Sequence, residues 1–294
     1  MSEKIRQPAV AGQFYDGNRN KLEKTIESCF LGERGPKNLP EIRTVDRNLL
    51  GIVVPHAGFI YSGAIAAHAY YQLATRGFSD TFIILGPNHT GMGSGVSLMG
   101  EGSWETPFGT IPINRKIANH LWGDIIDMDE TSHIYEHSIE VQLPFLQFIA
   151  KDKSFDFVPI CMGMQDLETS IEVGNTMAEV IRNSDRNVVI IASSDFSHAG
   201  FNYFSMPPAG KRVDEYAQDQ DKKAIDKILA LDPKGLIKTV QKENITMCGY
   251  GPVAAMIVAA KQLGAKKAEL LKYGNSYEVH PGNSCVGYGA ISIF

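Results

Sequence analysis

Three loops that carry histidine or aspartate stand directly behind apolar runs in this chain. Residues 49–55 (LLGIVVP) lead to His56 in Pro55-His56-Ala57-Gly58. Residues 81–85 (TFIIL) lead to Gly86-Pro87-Asn88-His89. Residues 187–192 (NVVIIA) lead to Ser193-Ser194-Asp195-Phe196-Ser197-His198. Imidazole suits iron, copper and zinc, and two histidines with one anionic ligand and open positions suit a non-haem Fe(II) site. On spacing alone the third ligand is Asp195, Glu140 or Cys248. Cys248 lies just before a helical pattern at residues 251–263, and a helix N-terminus favours the thiolate, the ligating form. Any one of these histidines reads ordinarily as a solvated loop residue. Three in equivalent positions point to one shared, metal-capable pocket.

A fourth cluster, Glu136-His137-Ser138-Ile139-Glu140, reads as the opening of a helix. His137 and Glu140 are three apart, which puts them on one helical face. Their order and spacing differ from HExxH, so a zincin is excluded. His198, Asp195, His137 and Glu140 are therefore the candidate site residues beside the metal set. His68 and His120 sit inside helical patterns and read as structural. His133 and His280 are in loops. Phe14, Tyr15, Phe59 and Tyr61 lie near the motifs and belong either to the pocket wall or to the core.

The elements that position these loops follow from the hydrophobic pattern. The runs at 49–55, 81–85 and 187–192 are continuous, β-branched and short, as in strands buried on both faces, which favours a parallel sheet. Residues 155–161 are a weaker candidate. Helical patterns at 20–30, 62–75 and 166–184 separate them, the last with Leu167, Ile171, Ala178 and Ile181 on one face. A loop spans 32–48, and WETPFGTIPI at 104–113 predicts a short hairpin at a sheet edge. Further helices are expected at 213–231, from Asp232-Pro233 onward, and at 251–263. Two strands, 268–273 and 285–293, close the chain. In open α/β sheets ligands bind beyond the carboxyl ends of the strands, where all three loops fall. The fold class expected is a single α/β domain over residues 1–294, with a largely parallel or mixed sheet flanked by helices.

Bulk properties narrow the function. The chain has 294 residues, 44% hydrophobic and 21% charged, with net charge −5. That is ordinary for a soluble globular protein, and without a basic run nucleic acid is a poor partner. No apolar run reaches the roughly 18 residues of a membrane span. The N-terminus has no signal-like apolar segment, so a cytoplasmic location is expected. Cys29, Cys161, Cys248 and Cys285 are far apart with no CxxC pair, which argues against a disulfide framework and excludes a zinc ribbon.

Taken in order, Pro8-Ala9-Val10-Ala11-Gly12-Gln13-Phe14-Tyr15, Pro55-His56-Ala57-Gly58, Leu85-Gly86-Pro87-Asn88-His89, Glu136-His137-Ser138-Ile139-Glu140, Ser193-Ser194-Asp195-Phe196-Ser197-His198 and Cys248-Gly249 make the chain resemble the Memo family. That family is related to the class III extradiol dioxygenases. The resemblance implies a dioxygenase-like α/β domain and a metal pocket of His56, His89 and Cys248, with Asp195 and His198 beside it. It places His198 where the dioxygenases keep an acid/base histidine. Those enzymes have glutamate where Cys248 stands, so ring cleavage is not implied. The metal expected is iron or copper, with zinc as the third candidate. The expected function is a metal-dependent redox or oxygen-activating enzyme acting on an unknown small molecule or peptide. The alternative is a non-catalytic module that binds a peptide or small anion in the same pocket. A metal-assisted hydrolase using His137 or Asp195 ranks last.

Overall fold

A computed structural model describes residues 4–43 and 48–294; residues 44–47 of the expected 32–48 loop lie outside them. Twelve strands occur among the described residues. In chain order they are β1 (Ile5–Arg6), β2 (Gly51–Val54), β3 (Thr81–Pro87), β4 (Val96–Leu98), β5 (Ser103–Thr106), β6 (Gly109–Pro112), β7 (Asp127–Met128), β8 (Asp156–Met162), β9 (Val188–Ser193), β10 (His198–Gly200), β11 (Ala268–Asn275) and β12 (Ser284–Ile293). The principal sheet runs β10-β12-β2-β9-β3-β8-β4-β7, with β11 also on β12. Its centre, β2-β9-β3-β8, is parallel throughout. Antiparallel pairs flank it, β12 beside β2 and β4 beside β8. The sheet is therefore mixed, with a parallel core.

That core is what the apolar runs dictate. Ile52, Val53, Val54, Phe82, Ile83, Ile84, Leu85, Ile190 and Ile191 are all fully buried. Strands covered on both faces need helices on both sides. On one side α1 (Arg19–Leu31), α2 (Phe59–Gly77) and α4 (Leu143–Ala150) pack together, with α2 on β2 and β12. On the other, α5 (Leu167–Arg182), α7 (Pro233–Glu243) and α8 (Tyr250–Gln262) pack together, with α8 on β2, β3 and β9. α3 (Arg115–Leu121) joins α5, and α6 (Val213–Leu229) covers β10, β11 and β12. Asn18 caps α1, and Asp232 caps α7 by accepting from the Gly235 N–H. Both are the short polar side chains that satisfy free N–H groups at a helix start.

Three local expectations change. α5 does not bury Ile171, which is 38% exposed; it buries Val173, Gly174, Met177 and Ala178. The alanine-rich α8 approaches so closely that a Cβ on Gly174 would stand 2.7 Å from the Ala255 carbonyl oxygen. Close approach, not the largest apolar side chains, chooses the face. The 104–113 hairpin forms as β5 and β6, but with β1 it makes a separate three-stranded sheet, not an edge of the large one. And residues 136–137 are not helical. The chain enters α4 through a 3-10 turn at Glu140–Gln142.

That turn anchors the N-terminal segment. Glu140 is fully buried and pairs with Arg6. It also accepts from the Ala9 and Val10 N–H groups (2.7 and 3.0 Å) and from the Tyr15 hydroxyl (2.6 Å). Arg6 lies over the Trp104 ring at 4.2 Å and donates to the carbonyls of His133 and Glu136. A buried carboxylate stripped of its cation is far costlier than an intact pair. Arg6→Met is expected to lower the unfolding free energy by about 3–5 kcal/mol in denaturant titration. The double variant Arg6→Met, Glu140→Leu should recover much of that loss, because no unpaired charge remains buried.

Candidate metal centre

Because β2, β9 and β3 are adjacent and parallel, their carboxyl ends meet at one edge of the sheet. The loops leaving them bring His56, Asp195 and His89 together. Each loop leaves its strand with backbone N–H groups that the sheet no longer satisfies, in a buried place. Carboxylates take them. Asp195 accepts from the N–H of His56 (2.8 Å) and of Ala57 (3.3 Å). Glu136 accepts from the N–H groups of His89, His137 (2.8 Å) and Ser138 (2.9 Å). Behind the turn at His198, Asp221 of α6 accepts from the Ser197 N–H at 2.7 Å and from the Tyr273 hydroxyl.

The same contacts fix which ring nitrogen each histidine offers. Gln142 donates to the Pro55 carbonyl and to Ser193 Oγ (2.8 Å), while Ser193 gives its own hydrogen to the Ser138 carbonyl at 2.7 Å. Ser193 can then only accept from His56 Nδ1, 2.8 Å away, which leaves the His56 Nε2 lone pair free. His89 Nδ1 donates to Glu136 at 2.9 Å. His198 Nδ1 lies 3.0 Å from two carbonyls, those of Phe196 and Thr246. In all three rings Nε2 is the free nitrogen.

Cys248 reaches the same point from the loop before α8. Its Sγ is 3.3 Å from His56 Nε2 and 3.6 Å from the Asp195 carbonyl. Gly249 permits this approach, since a Cβ there would meet the Ser193 carbonyl at 2.5 Å. Ligand atoms of His56, His89 and Cys248 lie within 4.8 Å of one another. Ligands bound at 2.0–2.3 Å to one ion are about 3–4.5 Å apart, so the set fits a metal ion with little movement. The histidine-thiolate donor set also suits a transition metal rather than calcium or magnesium. A second group, His89, Glu136 and His137, meets the same 4.8 Å limit. There the His137 ring stacks on His89 at 4.7 Å, and Glu136 serves as the outer partner that orients a ligating histidine.

Burial controls the protons. It holds His56 well below the usual imidazole range, helped by the charges of His89, His137 and His198. His137 falls to about 4, burial outweighing the attraction of Glu136. His133, fully buried against Trp104, also falls to about 4 for the same first reason. Burial raises Asp195, against the opposing pull of His198 and the two N–H groups it holds. Burial also pushes the Cys248 thiol up, and the Asp195 charge adds to this. This corrects the expectation that the α8 N-terminus makes Cys248 a thiolate. Without a cation beside it, desolvation wins and the thiol keeps its hydrogen, with His56 Nε2 and the Asp195 carbonyl as its neighbouring acceptors.

The cavity above these groups is about 500 Å³. Phe14, Tyr61, His137, Asp195, His198 and His280 belong to its wall, whereas Tyr15 and Phe59 are core. His133 is not in the wall, and His68 and His120 bond to the carbonyls of Arg34 and Lys116. Glu140 is not in the wall either, because its oxygens are taken by the N-terminal segment, and it shares no helical face with His137. Glu136, passed over in the sequence as an acid at a helix start, takes the supporting role instead. Its one legible signal was its place beside His137. Ser193 and Gln142 gave no sequence signal of their part in orienting His56.

Fold and site together define an α/β protein with a histidine-lined cavity and a metal-capable cluster of His56, His89 and Cys248 at the carboxyl edge of its parallel strands. The profile described as Memo-like protein matches residues 6–292. A MEMO1 family protein of Methanopyrus kandleri is 48% identical over 289 residues, covering 97% of this chain and 98% of its own. Another from Methanosarcina barkeri is 48% identical over 290 residues, covering 98% and 100%. This chain belongs to the Memo family. The crystal structure of an uncharacterized Escherichia coli K12 protein is similar in fold, with TM-score 0.52 and 11% identity over 82% of this chain and 99% of that one. No helix among the described residues is long and apolar enough to cross a membrane.

The two histidines depressed to about 4, His133 and His137, set a pH dependence. A histidine whose folded pKa is about 4 against 6.5 unfolded leaves the unfolded chain binding more protons between those values. Stability is then full above pH 6.5 and is lost as pH falls toward 4, by about 3 kcal/mol per group at most. Metal-free protein should show this acid limb in denaturant titrations at stepped pH. His133→Gln should flatten part of it, and an unchanged slope would refute the assignment.

Proposed function

We propose that this Memo-family protein is a non-haem, metal-dependent redox protein that activates oxygen toward a substrate bound in the pocket. The observation that supports it is the convergence of His56 Nε2, His89 Nε2 and Cys248 Sγ, with both rings already turned to present a lone pair. Iron or copper is the metal proposed, with zinc a redox-inert third candidate. Bound iron or copper would supply one-electron chemistry and open coordination positions.

The chain's own groups define the rest. His198, tethered through Nδ1, offers Nε2 as an acceptor for a substrate hydroxyl proton, the requirement for a general base. Asp195 lies beside it and would stabilise the imidazolium that results. His137, neutral at pH 7, stacks against His89 and keeps one side of the pocket dry together with Phe14, whose ring centroid is 4.8 Å away. Cys248 as third ligand makes the site softer than a two-histidine, one-carboxylate centre, which is why ring cleavage is not proposed.

Because the free Cys248 thiol is protonated, metal uptake must release that proton, and affinity rises with pH. Anaerobic loading with Fe(II) or Cu(I), followed by metal quantification, should give one ion per chain. Less should bind at pH 6 than at pH 8. The double variant His56→Ala, His89→Ala should bind none at the site, and Glu136→Ala should lose about 10–100-fold in affinity. A wild-type protein that takes up no metal, or a double variant that takes up as much, would overturn the proposal.

A further inference from the structure

We propose that Gln165 is the positioning residue of Cys248: its side-chain amide clamps the turn that carries the thiol, so that Sγ stands beside His56 before any metal arrives. This rests on the reading of His56, His89 and Cys248 as a metal set, and adds to it a residue outside that set and outside the cavity wall.

Cys248 lies in a stretch with little stiffness of its own. Glycines stand at 249 and 251, and glycine leaves the backbone freer than any other residue. Cys248 also lies outside α8, whose opening bond runs from the Val253 N–H to the Gly249 carbonyl. The Cys248 carbonyl therefore needs a partner from elsewhere. Gln165 Nε2 donates to it at 2.9 Å, and Gln165 Oε1 accepts from the Gly251 N–H at 2.8 Å. Only this orientation of the amide works, because the flipped one sets oxygen against oxygen and N–H against N–H. One side chain, 83 residues away in sequence, thus grips the chain on both sides of the thiol.

Gln165 is itself held. It follows β8, where the N–H groups of Gly163 and Met164 both donate to the Gly95 carbonyl (2.8 and 2.9 Å). It precedes Asp166, whose side chain caps α5 by accepting from the Thr169 N–H. Gly251 leaves room for it: a Cβ there would stand 2.7 Å from Gln165 Cβ and 2.9 Å from its Cα. From the opposite side Ser194 accepts from the Gly249 N–H at 3.0 Å, and Thr246 is hydrogen-bonded to His198. Those contacts tie the turn to the loop after β9. Gln165 ties it to the end of β8 as well, so the turn is fixed from two directions.

The same bonds bear on the sulfur. Gln165 takes the Gly251 N–H, Ser194 takes that of Gly249, and Pro252 has none to offer. Those groups at the start of α8 are then not available to favour a thiolate. The thiol is placed by hydrogen bonds to its neighbouring backbone rather than by its own charge.

The test uses the full chain and Gln165→Met, which keeps the side-chain length and loses both hydrogen bonds. Far-UV circular dichroism first confirms the fold of each variant. In Co(II)-loaded samples the thiolate-to-metal charge-transfer band reports the Cys248 bond directly, and Cys248→Ser should abolish it. Gln165→Met should bind Co(II) about 10–100-fold more weakly, the usual loss when an outer partner of a ligand is removed, with the band weakened or shifted at saturation. Gly251→Ala should reproduce that loss by displacing Gln165, although alanine favours a helix over glycine. Gln262→Met, the same change at the exposed far end of α8, should leave affinity and band as in wild type. In metal-free protein, iodoacetamide should alkylate Cys248 about tenfold faster in Gln165→Met than in wild type, as expected for the loss of two hydrogen bonds, while Cys29, Cys161 and Cys285 are buried. Equal alkylation rates in wild type and Gln165→Met, or wild-type affinity and band in both Gln165→Met and Gly251→Ala, would overturn the proposal. Wild type that takes up no Co(II), Fe(II) or Cu(I) but shows the alkylation difference keeps this inference and loses the redox reading. Wild type that loads metal with no effect of either variant does the reverse.

Discussion

Backbone N–H groups released at the ends of buried strands must find acceptors, and in this protein that demand falls on carboxylates. Where β2 ends, Asp195 takes the N–H groups of His56 and Ala57; where β3 ends, Glu136 takes that of His89. An unpaired buried N–H costs about 1–3 kcal/mol, so these acids hold the loops in place before any ligand arrives. The histidine positions follow from that constraint. Two of the acids lie far in sequence from the loops they hold: Asp195 is 139 residues from His56, and Glu136 is 47 from His89.

Holding loops with buried acids sets the electrostatic character of the pocket. The imidazoles of His56 and His137 become neutral because burial disfavours their charged form, which keeps the His56 Nε2 available as a ligand. The thiol stays protonated because burial and Asp195 oppose its ionisation. A metal ion would reverse that balance, since its charge favours the thiolate and screens Asp195. Arg6 and Glu140 form a similar arrangement one layer away, where a fully paired ion pair fastens the N-terminal segment beneath the 136–140 loop. These two networks meet at Glu136, whose carbonyl accepts from Arg6 and whose carboxylate supports His89.

Much of this was legible residue by residue. Continuous β-branched runs marked β2, β3 and β9, and the parallel core followed from their being apolar on both faces. Loop positions then placed His56, His89, Asp195 and His198 at one edge. Glu140 was misplaced because its spacing from His137 suggested a helix. The chain is not helical at 136–137, and Glu140 turns toward Arg6 instead. Glu136 was missed because an acid's role depends on which N–H groups surround it, and those come from a strand end 47 residues away. The α5 face was misread because glycine and alanine contribute little to a hydrophobic pattern, yet they permit the closest helix contact.

The amino-acid sequence by itself determined the alternation of buried strands and helices, the mixed α/β class and the loops that carry histidine, because these depend on local periodicity and turn chemistry. Tertiary structure alone decided which acid supports which loop, that Cys248 is a protonated thiol 3.3 Å from His56 Nε2, and that the pocket wall, among the described residues, holds hydroxyls but no lysine or arginine. The physical reason is that proton positions and charge depend on burial and on partners brought together from distant parts of the chain. Neither is encoded in the spacing of any one motif.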